Sequence, residues 1–164
     1  FYTQGGYGLF QCSVPCHRRT YDNFDAVRQM VNAEQNLRIP TELVPRCPVC
    51  GEPMTMNLRV DGRFVEDDGW HAAARRYDAF VREHAHDRLL YLEIGVGANT
   101  PGIIKYPFWQ QVAENRNARY VQLNLGGVIA PARIAKRSAL YDGDAAEVIL
   151  KLAAAVNGEV TPCA

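Results

Sequence analysis

The chain has 164 residues, of which 48% are hydrophobic, and its 18 Lys and Arg residues balance its 18 Asp and Glu residues. Such a composition is typical of one globular domain, with or without a small attached module. A zero net charge without a basic run excludes electrostatic binding of nucleic acid as a main function. No apolar stretch approaches the ~20 residues of a membrane-spanning helix and no secretory signal is present, so we expect a cytoplasmic protein.

The chain begins at Phe1 without an initiator methionine and enters a glycine-rich turn within a few residues. We therefore expect it to be the C-terminal portion of a longer protein. The alternative is a processed or trimmed intact domain.

Four of the five cysteines form two close pairs, Cys12 with Cys16 and Cys47 with Cys50. An odd cysteine count and a cytosolic composition argue against disulfides. A C-x3-C pair and a C-x2-C pair supply the tetrahedral sulfur set that zinc takes in structural sites, and Gly51 allows the second turn to close tightly. The sequence therefore predicts a zinc site whose role is folding stability, because four thiolates leave no open coordination position.

Two alternatives to this zinc site stay open. The four cysteines could be free buried thiols, or His17 could replace Cys16 as a ligand, although a histidine beside a complete thiolate set is more often a bystander. Cys163 has no nearby partner in the sequence and is interpreted as incidental.

The segment between and after the cysteine pairs predicts three elements. Apolar residues recur at helical spacing over 24–31, after Asp22 or Asn23 as a cap. Residues 63–65 predict a strand, and 69–85 predict a helix with one apolar face. The acids at 66–68 are better explained by the dipole of that helix than by a metal site.

The next segment has the order of one parallel crossover unit. The apolar run 89–94 predicts a buried strand, the glycine-rich stretch 95–102 a loop, 108–114 a short helix and 119–125 a second strand. A strand that leads into a glycine loop is typical of dinucleotide sites in α/β folds, although a lone G-x-G could also be only a tight turn.

The chain ends in a predicted amphipathic helix over 145–156. Asp144 and Glu147 have the spacing of a capping box, and the free N–H groups at that helix start could alternatively face a ligand.

Six of these features together resemble, in order, the C-terminal two-thirds of a sirtuin. They are Gln4-Gly5, Cys12/Cys16, Cys47/Cys50, Gly95-Val96-Gly97, Leu123-Asn124-Leu125-Gly126 and Gly143-Asp144-Ala145. The resemblance implies a Rossmann-like parallel-sheet domain, formed by 1–10 and 86–164, and a zinc-binding module with its connecting helix at 11–85.

Three departures from the usual sirtuin pattern indicate which class of sirtuins the chain resembles. The usual catalytic histidine is Gln4, the serine of the glycine loop is Gly97, and the acid after the asparagine is Gly126. The patterns "QGxYGxxQCSxPCH" and "LEIGVGxNTPGIIKYPFW" resemble class M sirtuins, which are linked to macrodomain proteins. This resemblance implies protein mono-ADP-ribosyltransferase activity with NAD as substrate, and a lipoylated carrier protein as acceptor.

The chemistry of position 4 is consistent with that activity. A deacylase needs a histidine base of pKa ~6.5 to deprotonate a ribose hydroxyl, and the amide of Gln4 cannot take that proton. An amide can still hydrogen-bond a ribose and orient it for transfer. The resemblance therefore implies Gln4 as a catalytic residue, although it could be only a loop residue.

The resemblance also implies a set of NAD-binding residues, namely Gly95, Val96, Gly97, Asn99, Asn124, Gly143, Asp144 and Ala145. The family's first glycine loop and its nicotinamide-binding Asn and Asp have no counterpart here, so the chain alone is expected to bind NAD weakly. Two other functions stay open, an NAD-dependent protein-lysine deacylase and a non-enzymatic zinc-stabilised interaction module.

Overall fold

The computed structural model describes residues 1–98 and 101–158. The chain divides into two compact units, Phe1–Phe80 and Val81–Ala164. Together they make a mixed α/β protein with one antiparallel and one parallel sheet. Among the described helices, none is both long enough and apolar enough to cross a membrane.

The first unit is built on a three-stranded antiparallel sheet in the order β2-β1-β3. Its strands are β1 (Gly5–Cys12), β2 (Tyr21–Asp22) and β3 (Met54–Leu58). Its helices are α1 (Phe24–Ala33) and α2 (Asp68–Glu83). The last turn of α2 belongs to the second unit, which begins at Val81. A 3-10 turn, Thr41–Leu43, lies between α1 and β3.

A buried amide pair ties the segment after β3 to the sheet. Gln11 Oε1 accepts hydrogen bonds from Asn57 Nδ2 at 2.7 Å and from the Val65 N–H at 2.9 Å. Gln11 Nε2 donates to the Arg63 carbonyl at 2.8 Å. The predicted strand at 63–65 is therefore wrong, because side chains rather than a backbone ladder satisfy the polar groups of this segment.

Helix α1 confirms the predicted helix, but its apolar face is not buried. Phe24 and Val31 are 67% and 69% exposed. The Asn23 side chain does not cap the helix, since its Nδ2 donates to the Tyr7 carbonyl at 2.6 Å. Asp22 Oδ1 accepts from the Phe24 N–H instead, at 3.0 Å.

Helix α2 confirms the predicted helix, and its first turn explains one of the preceding acids. Asp67 Oδ1 accepts from the Trp70 N–H at 2.7 Å, and Asp67 Oδ2 accepts from the Thr20 hydroxyl. Burial acts to raise the pKa of Asp67, but these bonds and the Gly69 N–H lower it below its usual value. The carboxylate therefore stabilises the helix start.

The second unit contains a three-stranded parallel sheet in the order β4-β5-β6. Its strands are β4 (Leu90–Ile94), β5 (Arg119–Asn124) and β6 (Ser138–Asp142), with α3 (Lys105–Glu114) between β4 and β5 and α4 (Ala145–Val156) after β6. A 3-10 turn, Ala135–Arg137, precedes β6. The predicted crossover unit is confirmed, while β6 was not predicted.

The core of this unit lies on one face of the sheet. Its buried cluster comprises Tyr91, Val112, Ala118, Tyr120 and Ile134. Burial alternates along β4, where Leu90, Leu92 and Ile94 are exposed. The prediction that this strand is wholly buried is wrong for the described residues, because α3 packs against the face that carries Tyr91.

The predicted domain division, which joins 1–10 to 86–164, stays a prediction. In the structure, residues 1–10 belong to the first compact unit through the pairing of β1 with β3.

Gly5 gives a direct test of the first sheet. Its φ is 81°, and a Cβ there would lie 1.9 Å from the Asn57 carbonyl oxygen. Gly5→Ala should therefore lower the free energy of unfolding by more than about 2 kcal/mol in urea denaturation. Gly8→Ala is the matched control, because a Cβ at Gly8 meets nothing within 4 Å. Equal stability of the two variants would contradict this account.

Candidate functional site

The four paired cysteines come together in the first unit. One sulfur from each of Cys12, Cys16, Cys47 and Cys50 lies within 4.8 Å of every other. The Sγ atoms of Cys12 and Cys50 are 3.6 Å apart, and those of Cys16 and Cys47 are 3.7 Å apart. A tetrahedral zinc with Zn–S bonds of ~2.3 Å requires sulfurs ~3.8 Å apart. The donor set therefore fits one such ion.

Local backbone structure positions these sulfurs. Cys12 ends β1, and Cys47 begins a tight turn that the Gly51 N–H closes by bonding the Cys47 carbonyl at 2.9 Å. Gly51 has a φ of 76°, a conformation that glycine adopts without strain. The Cys47 N–H then donates to the Glu52 carbonyl at 2.7 Å, so the knuckle is fixed on both sides.

The thiols of Cys16, Cys47 and Cys50 lie so close together that neighbouring thiols affect the pKa of each. Burial and hydrogen bonds with the other three thiols raise the pKa of Cys16 to about 12. Burial opposes ionisation of Cys47, but the N–H groups of Cys50 and Val49 and the neighbouring thiols lower its pKa to about 7. A bound cation would favour the thiolate forms, and its binding would release protons.

His17 lies beside this cluster. Its Nδ1 is 3.0 Å from Cys16 Sγ, and its Nε2 is 2.8 Å from the Tyr21 hydroxyl. Both ring nitrogens therefore have partners while the four sulfurs remain together, a geometry in which His17 orients Cys16 rather than replacing it.

The second unit has a cavity of about 450 Å³ at the carboxyl ends of its parallel strands. Its lining consists of the two glycine-rich turns that follow β4 and β5, together with polar side chains from β5 and α3: Gly95, Val96, Gly97, Ala98, Lys105, Gln122, Asn124, Leu125, Gly126, Gly127, Val128 and Ile129. In parallel α/β sheets this edge is where ligands bind.

Hydrogen bonds from the strands hold the second glycine turn in place. Asn124 Nδ2 donates to the Gly127 carbonyl at 3.0 Å, and the Gly126 N–H donates to Asp142 Oδ1 at 2.8 Å. Gln122 Oε1 accepts from the Ile129 N–H at 2.9 Å. Gly126 and Gly127 have φ values of 84° and 129°, so this turn needs glycine. The result is a fixed backbone surface that a ligand can approach closely.

The structure brings together only part of the predicted NAD-binding set. Gly95, Val96, Gly97 and Asn124 line the cavity. Gly143, Asp144 and Ala145 do not line it, although the Gly143 N–H donates to the Asn124 carbonyl at 2.8 Å. Asn99 lies outside the described residues.

Asp144 acts as a helix cap in this structure. Its Oδ1 accepts from the Ala146 N–H at 2.7 Å, which confirms capping of α4. Glu147 pairs with Lys151 at 3.7 Å on the helix surface. The ligand-binding alternative for this helix start stays a prediction.

Gln4 lies in the first unit, immediately before β1, with an exposed side chain. Its carbonyl accepts from the Arg59 N–H at 3.1 Å, which fixes the backbone at this position. Its catalytic role stays a prediction.

Sequence reasoning missed two polar residues of the cavity. Lys105 and Gln122 are buried, with 4% and 1% of their surfaces exposed. Gln122 is the in-register partner of Glu93 on β4, and Glu93 binds Lys105. The signal that could have found them is the single acid at Glu93 inside an otherwise apolar run.

The fold and cavity define a class of site, a glycine-lined ligand cavity at the edge of a parallel sheet. No family model matches the chain. The chain is 45% identical over 139 residues to a protein ADP-ribosyltransferase of Staphylococcus aureus, an alignment that covers 84% of this chain and 44% of that protein. It is 29% identical over 111 residues to a probable bifunctional ADP-ribose hydrolase/ADP-ribosyltransferase of Fusarium oxysporum f. sp. cubense.

The second alignment covers 63% of this chain and 18% of the Fusarium protein. The chain thus spans less than half the length of either curated relative.

Removal of one cysteine tests the metal centre. Cys47→Ala should abolish binding of one zinc equivalent, measured by elemental analysis, and lower the free energy of unfolding by several kcal/mol, on the order of the loss of a structural metal. Cys163→Ala is the control and should retain the metal. A Cys47→Ala protein that stays fully folded without metal would refute a structural role for the ion.

Proposed function

We propose that the chain is the C-terminal portion of a sirtuin-type, NAD-dependent protein mono-ADP-ribosyltransferase. The observation that carries the proposal is the glycine-lined cavity, which lies within a chain that is 45% identical to a protein ADP-ribosyltransferase. Zinc, as the ion of the four-cysteine cluster, is part of the same proposal and has a structural role.

The reaction breaks the bond between C1′ of the NAD ribose and the nicotinamide nitrogen. Nicotinamide leaves with the electron pair of that bond, which neutralises its pyridinium charge. A nucleophilic atom of the acceptor protein forms the new bond to C1′ and loses its proton to solvent. Because the leaving group needs no protonation, the enzyme's main task is to hold the ribose and expose C1′.

The cavity would bind the dinucleotide, and the catalytic role expected of Gln4 is a separate part of the proposal. The turns at Gly95–Gly97 and Gly126–Gly127 allow close approach of the dinucleotide, and Asn124 holds the second turn while it faces the cavity. Gln4 would orient the ribose through its amide, which can donate and accept hydrogen bonds but cannot act as a base at neutral pH.

The acceptor and a functional partner complete the proposal. We propose a lipoylated carrier protein as the acceptor and a macrodomain protein as the partner that removes ADP-ribose. The name of the Fusarium relative joins an ADP-ribose hydrolase to a transferase, which supports a link between the two activities.

Labelled NAD tests the activity directly. The full-length protein, incubated with labelled NAD and a lipoylated carrier, should transfer label to the carrier and release nicotinamide. Nicotinamide release that depends on an acetyl-lysine peptide instead would favour a deacylase. Absence of any NAD-dependent thermal shift in the full-length protein would favour a non-enzymatic module.

Gln4→Ala should lower the transfer rate by about tenfold, the effect of losing one orienting hydrogen bond of about 1.4 kcal/mol. The thermal midpoint of the variant is measured alongside, so that a lower transfer rate can be told from a loss of fold. Gln110→Ala is the matched control, since Gln110 is also exposed and its side chain bonds Glu114 within α3. Equal transfer rates in the two variants would remove Gln4 from the active site.

A further inference from the structure

A buried ion pair between Lys105 and Glu93 lies beside the cavity of the second unit. Lys105 Nζ lies 2.5 Å from Glu93 Oε2, and the two side chains are 5% and 0% exposed. Burying two charges is costly unless their remaining polar atoms are satisfied. Glu93 Oε1 is buried without a hydrogen-bond partner among the described residues. Stability alone therefore gives a poor reason for this pair.

The position of the ion pair beside the cavity gives a better reason for its presence. Glu93 precedes the glycine turn that begins at Gly95, and Lys105 is the first residue of α3. Lys105 lines the cavity with Gly95 and Gly97, while Glu93 is not part of its lining. Glu93 thus holds the ammonium group of a residue that lines the cavity.

The chemistry of the cavity wall indicates what this ammonium can bind. Lys105 is the one ionisable side chain among the described residues that line the cavity. An ammonium has three N–H donors, and Glu93 takes one of them. Because the Glu93 carboxylate balances the charge of Lys105, the wall offers donors without a net positive charge.

We propose that Lys105, fixed by Glu93, is a recognition residue that donates hydrogen bonds to the uncharged hydroxyl groups of a nucleoside ribose rather than to a phosphate. This assignment rests on the proposed use of a dinucleotide. Glu93 is a positioning residue, since it acts through Lys105. The amides of Gln122 and Asn124 lie on the same wall and complete a polar, uncharged rim.

Two probes separate the ribose from the phosphate. Adenosine carries a ribose without phosphate, and inorganic pyrophosphate carries phosphate without ribose. Binding of each to the full-length protein is measured by NMR titration of the backbone amides of Gly95, Gly97 and Gly126, which line this cavity. The proposal requires adenosine to shift these amides in the unmodified protein, and the absence of a shift overturns it.

The double variant Glu93→Gln/Lys105→Met removes both charges and leaves no unpaired buried ion. It should keep its fold and weaken adenosine binding by about tenfold while pyrophosphate binding is unchanged. Unchanged adenosine binding in the folded variant would assign the pair to stability alone and overturn the proposal. Loss of pyrophosphate binding would overturn it in favour of a phosphate site.

The single variant Glu93→Gln is a test independent of the double variant. It is expected to strengthen the binding of pyrophosphate rather than to weaken the binding of adenosine. A bound anion would then take the place of the Glu93 charge beside Lys105, so pyrophosphate affinity should rise about tenfold at low salt and fall as salt is added. The thermal midpoint without ligand should drop, because the buried Lys105 has lost its partner. An unchanged pyrophosphate affinity would refute the charge-balancing role of Glu93. Failure of the transferase proposal is distinguishable, because it abolishes label transfer without affecting adenosine binding to this cavity.

Discussion

The convergence of four thiols within 4.8 Å is the constraint on which the first unit depends. The described apolar core of that unit is small, and two of its four buried members, Cys12 and Cys47, belong to the cluster itself, beside Phe10 and Val65. Small units with a limited core need a staple such as a metal or a disulfide. A metal held by these thiols would thus do for the first unit what aromatic and aliphatic packing does for the second.

Next to the cysteine cluster, the buried side chain of Gln11 stabilises the first unit through hydrogen bonds, where apolar packing is limited. Gln11 precedes Cys12 on β1 and binds both Asn57 on β3 and the backbone of Val65. These hydrogen bonds explain why the predicted strand at 63–65 is wrong. The residues at 63–65 predicted a strand, but only the rotamer of the distant Gln11 decides whether side chains or a backbone ladder hold this segment.

In the second unit, local signals sufficed for most of the fold. The apolar run 89–94 predicted β4, and the segments 108–114 and 119–125 predicted α3 and β5. The boundaries of α4 were also predicted correctly. Strand β6 carries a short and mostly exposed sequence without such a signal. The cysteines and the glycines of the cavity follow from spacing, whereas Lys105 and Gln122 do not. They meet only because β4 and β5 pair in a register that sets Glu93 beside Gln122.

In that register, the face of the sheet that carries the core becomes more polar toward the carboxyl ends of the strands. Tyr91 pairs with Tyr120 in the core, and the next pair on the same face toward the carboxyl edge is Glu93 with Gln122. Burial, with a further effect from the adjacent Glu93 carboxylate, raises the pKa of Tyr120, which keeps its hydroxyl neutral at physiological pH. The charge at the base of the cavity is then that of Glu93 and Lys105 together, which sums to zero. If the cavity binds a dinucleotide as proposed, a neutral base of this kind would accommodate a ribose without attracting phosphate to it, and the diphosphate would have to lie toward the glycine turns.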